Sequence, residues 1–279
     1  MPAPQASMMQ QLARAKFMSF GLTVPTNWQN PVGDPAEQHF RDAFKPEEKN
    51  TSPGTPPLVK PATLNKLHTD IQKMHIARIG SYLDGITKAI CSAWSQWQAT
   101  ATLVGVTINA VVAAGGQVVG PPLFPLIMAT APKQSPMELK YSTVIANTIS
   151  TGWLSFTATV KVPGLPWYPA FAAFAGPMAP PMPNTPVPFA ALTQVPASIA
   201  AGALKGQMVA GLGDPGAPFH GQLFEAVADA FEKSYNTWKA STMVTNVLGT
   251  GAIPTFAPPV VPVGPVVGGV GNMTPGGFA

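Results

Sequence analysis

Three stretches of this chain, 89–132, 162–204 and 240–279, contain no Asp, Glu, Lys or Arg. A segment of about forty residues without charge is a poor solvent-facing loop. It needs either a fold of its own or a neighbour that covers it, because contiguous exposed apolar surface marks contact sites. Each stretch is entered near a tryptophan: Trp97, Trp153 and Trp238. Nine residues after each tryptophan stands a valine, Val106, Val162 and Val247. A Gly-Pro step follows: Gly120-Pro121, Gly176-Pro177 and, three residues later in its tract, Gly264-Pro265. Self-similarity of this kind signals units that bury their faces against each other or against other chains.

Composition reinforces the constraint. Only 10% of the 279 residues are charged, against about 25% in an ordinary soluble protein. The chain has 33 prolines, more than twice what average usage of about 5% provides. The net charge is +4, but the basic residues are scattered singly. Nucleic-acid binding needs a basic patch or stripe, so that class is set aside. One cysteine, Cys91, excludes an internal disulfide and reads as a small buried hydrophobe. No secretory signal is visible: Phe17 to Leu22 is too short and broken for an apolar core. Ala99 to Val119 is long enough to span a bilayer, but its Thr, Gly and Asn content makes a poor span.

Helical periodicity marks the start of each unit. Leu64, Leu67, Ile71, Met74, Ile79, Leu83, Ile86, Ile90, Trp94 and Trp97 draw one apolar stripe, the pattern of an amphipathic helix. Ser135-Pro136-Met137-Glu138 is a capping box with proline at the first helical position. It opens a second helix striped by Tyr141, Val144, Ile145, Ile149, Trp153 and Phe156. A third runs from about Gly221 to Met243, with Leu223, Phe224, Val227, Phe231, Tyr235 and Trp238 inward. Pro196 to Leu212 allows a short Ala-rich helix. Ser7 to Phe20 forms a helix stopped by Gly21, and Asp34-Pro35-Ala36-Glu37 is a second start. Residues 45–61 read as a linker. The tracts themselves read as extended. Val104–Ile108 and Gln117–Val119 suggest short strands around a Gly115-Gly116 turn. Proline cannot donate to a ladder, so 163–188 should be a strap rather than a central strand, and the tail from Val247 a strap across a neighbour.

The expected fold is therefore mainly α, with extended Pro/Gly-rich segments and short β strands, in three helix-plus-extended-tract repeats. The expected divisions are an N-terminal arm and linker (1–62), repeat 1 (63–132), repeat 2 (133–204), and repeat 3 with an extended C-terminal tail (205–279).

Candidate chemistry is sparse. Gly211-Leu212-Gly213-Asp214-Pro215-Gly216 spells G-x-G-x-x-G, but that fingerprint needs a strand before it, and Ala-rich helix precedes it here. His68 and His75 share a helix but stand about 10 Å apart along its axis, too far for one metal, and His39 and His220 have no ligand spacing. Glu225, Asp229 and Glu232, on one helix, read as a solvated acidic face. No catalytic, cofactor-binding or metal-ligating residues are assigned. Trp167, Tyr168, Phe171, Phe174, Met178 and Met182 crowd one uncharged stretch and read as packing groups for a subunit interface or the domain's own helices.

Two segments carry a resemblance. Ile149–Val162, leading into Phe174-Ala175-Gly176-Pro177-Met178-Ala179-Pro180-Pro181-Met182-Pro183-Asn184, and Gly251-Ala252-Ile253-Pro254-Thr255-Phe256-Ala257-Pro258-Pro259 resemble structural components of contractile phage tails and related injection particles. The resemblance covers less than half of the chain and implies a part of a large particle with no enzymatic role. The expectation is a non-enzymatic subunit of a multi-subunit assembly. Its partners would be other copies of itself and other structural subunits, with no nucleic acid. It would be made in the cytoplasm without a signal peptide and end in a virion or extracellular particle. The alternative is a membrane-active secreted protein, a toxin or pore former, that inserts its uncharged tracts.

Overall fold

The computed structural model describes residues 3–21, 64–214, 219–255 and 263–279. The chain divides into two compact units, one formed by 1–20 with 83–279 and the other by 21–82. Of the second unit, the described part is essentially the first half of one long helix. The Asp34–Glu37 helix start, the 45–61 linker, His39, the side chain of His68, Gly216 and 256–262 lie outside the described residues.

Six α-helices stand among the described residues: α1 (Ala6–Ser19), α2 (Leu64–Thr100), α3 (Leu123–Thr130), α4 (Pro136–Thr159), α5 (Ala201–Leu212) and α6 (His220–Ser241). Their ends follow local chemistry. The Ser135 hydroxyl accepts from the Glu138 N–H at 3.2 Å, and the Glu138 carboxylate accepts from the Gln134 N–H at 2.8 Å. Four free amides begin any helix; here the Ser135 hydroxyl satisfies that of Glu138, and the Glu138 carboxylate reaches back past the cap to Gln134. Gly21 follows α1 at φ +63° and Gly213 ends α5 at φ +62°, the left-handed region in which glycine carries no Cβ penalty.

The predicted stripe of α2 is buried from Leu83 onward: Leu83, Ile86, Ile90, Trp94 and Trp97 are all within 2% of full burial. Met74 and Ile79 are instead exposed. Trp94 and Trp97 meet the equivalent aromatics of α4 and α6. Ring centroids are 4.7 Å apart for Trp94–Trp153, 4.9 Å for Trp97–Trp153 and 6.0 Å for Trp153–Trp238. Phe156, Phe231 and Tyr235 pack around them. Mostly tilted or edge-on contacts suit the ring quadrupoles, each worth about 0.5–1.5 kcal/mol beyond its buried area.

The uncharged tracts become a sheet. Its strands are β1 (Thr102–Asn109), β2 (Val112–Val119), β3 (Val162–Leu165), β5 (Met178–Pro183), β8 (Val247–Ala252) and β10 (Val267–Met273), in the order β3-β2-β1-β10-β8-β5 and antiparallel throughout. Two short ribbons accompany it: β4 (Phe174–Ala175) with β9 (Val263–Gly264), and β6 (Val187–Pro188) with β7 (Met243–Val244). Proline in the sheet is confined to β3 and β5, the two edges, where a missing N–H costs least.

Four expectations change. The tracts are not simply extended straps: their strands 102–109, 112–119, 162–165, 178–183, 247–252 and 267–273 pair with one another within this chain. The tail from Val247 is not a strap across a neighbour where it is described: β8 and β10 are inner strands of the sheet, and Phe278 stacks on Trp97 at 5.9 Å and is 2% exposed. The division into 1–62, 63–132, 133–204 and 205–279 does not mark separately packed units. The sheet takes strands from each of the last three, and α1 packs on α6 through buried Met9 and Ala13 instead of forming part of an arm. The β1–β2 turn lies at Ala110-Val111; Gly115 and Gly116, at φ +75° and +79°, lie inside β2, with Gly115 opposite Val106, and Gly105 of β1 is at +69°. The pairing register runs unbroken past these glycines, but the buried–exposed alternation of β1 slips by one between Leu103 and Val106.

Candidate interaction surface

One face of the sheet is closed by the chain itself. A single row crosses all six strands: Val162, Gly115, Val106, Gly271, Gly249 and Met182. The three valines placed nine residues after the tryptophans, Val106, Val162 and Val247, are each within 2% of full burial. Tyr168 packs against the glycines of this row. A Cβ at Gly249 would stand 2.6 Å from the Tyr168 ring, and one at Gly271 would stand 3.0 Å from its hydroxyl oxygen. The Tyr168 hydroxyl donates to the Val247 carbonyl at 2.8 Å, and its ring stacks on Phe171 at 4.9 Å. Burial pushes the Tyr168 phenol well above its ordinary range. Tyr168, with Phe171 stacked on it, is therefore a packing group of the chain's own sheet, and Trp167 is buried beside it in sequence. Met178, from the same stretch, is 62% exposed.

Among the described residues the opposite face is open and its strands supply no charge; Lys161, just before β3, donates to the Gly116 carbonyl at 2.8 Å at its margin. None of the strands contains Asp, Glu, Lys or Arg. In register across four strands stand Ala114, Thr107, Val270 and Thr250. A second row joins Val267, Ala252 and Met178, and a third joins Asn272, Leu248 and Pro183. Val112, Val119, Val267, Val270 and Met178 are between 41% and 62% exposed. Scattered exposed apolar residues need no explanation; an uncharged, register-aligned field of them does. Polar groups on this face are neutral and partly engaged. The Asn272 Oδ1 accepts from the Gly105 N–H at 2.9 Å, and the Asn109 Oδ1 from the Gly268 N–H at 3.0 Å.

Several ionisable residues tie helices together. Glu225 accepts from Lys16 at 2.9 Å and Lys205 at 2.5 Å, which clips α1 and α5 onto α6. Lys205, then Lys16, holds the Glu225 carboxyl below its ordinary value. The Glu232 carboxylate accepts from the Ala201 N–H at 3.2 Å, at the start of α5, and Asp229 pairs with Lys233 at 2.8 Å. The expected solvated acidic face is thus a docking rail for two helices. Periodicity hides this because the partners lie 20 or more residues away. Arg14 forms a forked contact with Asp84, of the kind that fixes geometry as well as charge.

The remaining sequence candidates stay apart. Cys91 is buried with its sulfur 3.7 Å from that of Met9, and burial pushes the thiol up to about 12. A thiol so desolvated is inert. The G-x-G-x-x-G stretch begins inside helix α5, whose last residues are Gly211 and Leu212 and whose cap is Gly213, so it lacks the strand its fingerprint requires. His75 is exposed and His220 opens α6. Among the described residues no three of His, Cys, Asp and Glu stand together as a metal site. No helix among them is long and apolar enough to cross a membrane, and Ala99–Val119 is mostly the β1–β2 hairpin. Comparison with family models, curated proteins and solved structures finds no match.

Proposed function

We propose that this chain is a non-enzymatic structural subunit of a multi-subunit assembly, of the kind found in contractile tails and injection particles. The observation that carries the reading is the open face of the six-stranded sheet. Soluble designs place about 25–35% charged residues at their surface; here the six strands supply none to this face. Such a face suits burial against protein, since the core of an interface is depleted in charge.

The threefold pattern belongs to the same reading. The first helix-plus-tract repeat supplies Trp94 and Trp97 to a shared aromatic cluster, the other two one tryptophan each, and each repeat supplies one valine to a shared sheet face. The three units complete one another inside a single chain instead of stacking as a solenoid. This leaves the outer sheet face, not the tracts as a whole, as the surface offered to neighbours.

Light scattering during size exclusion tests the proposal. The expected result is oligomers at micromolar concentration, growing with concentration. A well-folded monomer up to about 100 μM would refute it.

A further inference from the structure

The sheet has two ways to meet another protein: by its edges or by its open face. Its edges are blunted. β3 carries Pro163, and β5 carries Pro180, Pro181 and Pro183. Proline offers no N–H to an incoming strand, which is how natural sheets resist edge pairing. Beside the start of β3, Lys161 and Thr193 already exchange both main-chain hydrogen bonds, each 2.9 Å. Assembly by strand addition is thereby disfavoured at both ends, and the open face remains.

Resting on the assembly reading above, we infer that this face is an isologous contact between two copies of the chain, sheet stacked on sheet. Three features point to a second copy. The first is area. Six strands about 4.8 Å apart, from about 13 Å for β3 to about 26 Å for β1 and β2, present about 500–700 Å². Two such faces bury about 1,000–1,400 Å², which clears the roughly 1,000 Å² that a specific interface needs.

The second is charge. A two-fold axis sets a surface against itself, so any charge near the axis would meet its own kind. The rows through Thr107, Val270 and Ala252 contain none. A foreign partner selected by charge complementarity finds nothing to read on this face. The third is relief. Branched Val267 and Val270 and the long Met178 stand beside the smaller Ala114, Ala252 and Gly268, which gives ridges and hollows on the same surface.

The test uses the full chain and sedimentation at 0.1 M and 1 M NaCl. Val270, 47% exposed at the centre of the face, is changed to Glu. Leu154, 66% exposed on α4, is changed to Glu as the control. The inference expects Val270→Glu to weaken dimerisation at least 100-fold and Leu154→Glu less than 3-fold. It also expects no loss of dimer at high salt, since ionic contacts are screened there and apolar ones are not. If Val270→Glu fails to fold, a thiol at Thr107 (Thr107→Cys) serves instead. Cys91 is buried, so the new thiol alone takes up maleimide. Its labelling should slow as protein concentration rises through the dimerisation range. A wild-type oligomer that Val270→Glu leaves intact, or Thr107→Cys labelling independent of concentration while oligomers persist, overturns the stacked-face inference but not the assembly reading. A wild type that stays monomeric to about 100 μM overturns both.

Discussion

Adding one methyl group at Gly249 should unseat Tyr168. The new Cβ would lie 2.6 Å from Cε1 and Cζ of the Tyr168 ring and 2.7 Å from Cδ1 of Ile108. Real Cβ atoms essentially never approach so closely. The Ile108 methyl is the end of a flexible side chain and can turn aside. The ring cannot: its hydroxyl is tied to the Val247 carbonyl and its other face stacks on Phe171. Overpacking a rigid site costs about 1–3 kcal/mol. Loss of the phenol hydrogen bond adds about 1 kcal/mol; the Val247 carbonyl keeps a second donor, the Asn184 N–H at 3.1 Å, which limits that share. Replacing glycine returns about 0.4–1 kcal/mol through the unfolded chain. The net for Gly249→Ala is about 2 kcal/mol, or a fall in Tm of about 4–8 °C for a domain of this size. Urea denaturation of Gly249→Ala, Tyr168→Leu and the double variant measures it. The cost of the alanine should shrink by at least 1 kcal/mol when the ring is already gone. A Gly249→Ala cost below about 0.5 kcal/mol, or the same cost with and without Tyr168, would refute the seating of the ring on the glycines.

Gln98 joins two distant segments: its amide donates to the Phe278 carbonyl at 2.8 Å and its carbonyl accepts the Trp238 indole N–H at 2.9 Å. Gln98→Leu removes a partner from two buried groups and should cost about 2–4 kcal/mol, read as a lower urea midpoint with 263–279 cut first by protease. The Glu225 carboxyl lies below its ordinary 4.5 when folded, so the folded state binds fewer protons there than the unfolded one. Stability from the Lys16–Glu225–Lys205 clip is therefore present above pH 4.5 and lost as pH falls below it. At this partly exposed site it amounts to about 0.3–1 kcal/mol. Urea midpoints at pH 7 and pH 3.5 should differ less in Glu225→Gln than in the wild type; equal differences would remove the clip from the account.

The helices were legible because their signals are local. The Ser135–Glu138 cap, the stop at Gly21 and the stripe from Leu83 to Trp97 each depend on neighbours within a turn or two. The sheet was less legible because its determinants are remote. Gly115-Gly116 looks like a turn by local rules, yet the chain turns at Ala110-Val111, where the Ala110 N–H reaches the Val266 carbonyl at 2.6 Å. The proline-rich stretch read as a strap; its residues 178–183 form an edge strand because β8 supplies the partner. α3 escaped notice since Leu123–Thr130 is apolar all round and shows no periodicity. The candidate surface was half legible. Absence of charge was evident at once, but which residues share the open face depends on the positive-φ glycines Gly105, Gly115 and Gly116, across which the buried–exposed alternation slips by one.

The strand order has a consequence for biogenesis. β1 and β10 pair at the middle of the sheet, with Val106 opposite Gly271, although 165 positions separate them. At about 5–20 residues per second, the first hairpin emerges from the ribosome roughly 10–30 s before its partner does. Throughout that interval β1 presents an unblunted, proline-free border, the kind of template on which nascent chains misassociate. Production in the cell should therefore be limited by chaperone supply, and a circular permutant that brings the last strand next to the first should mature faster.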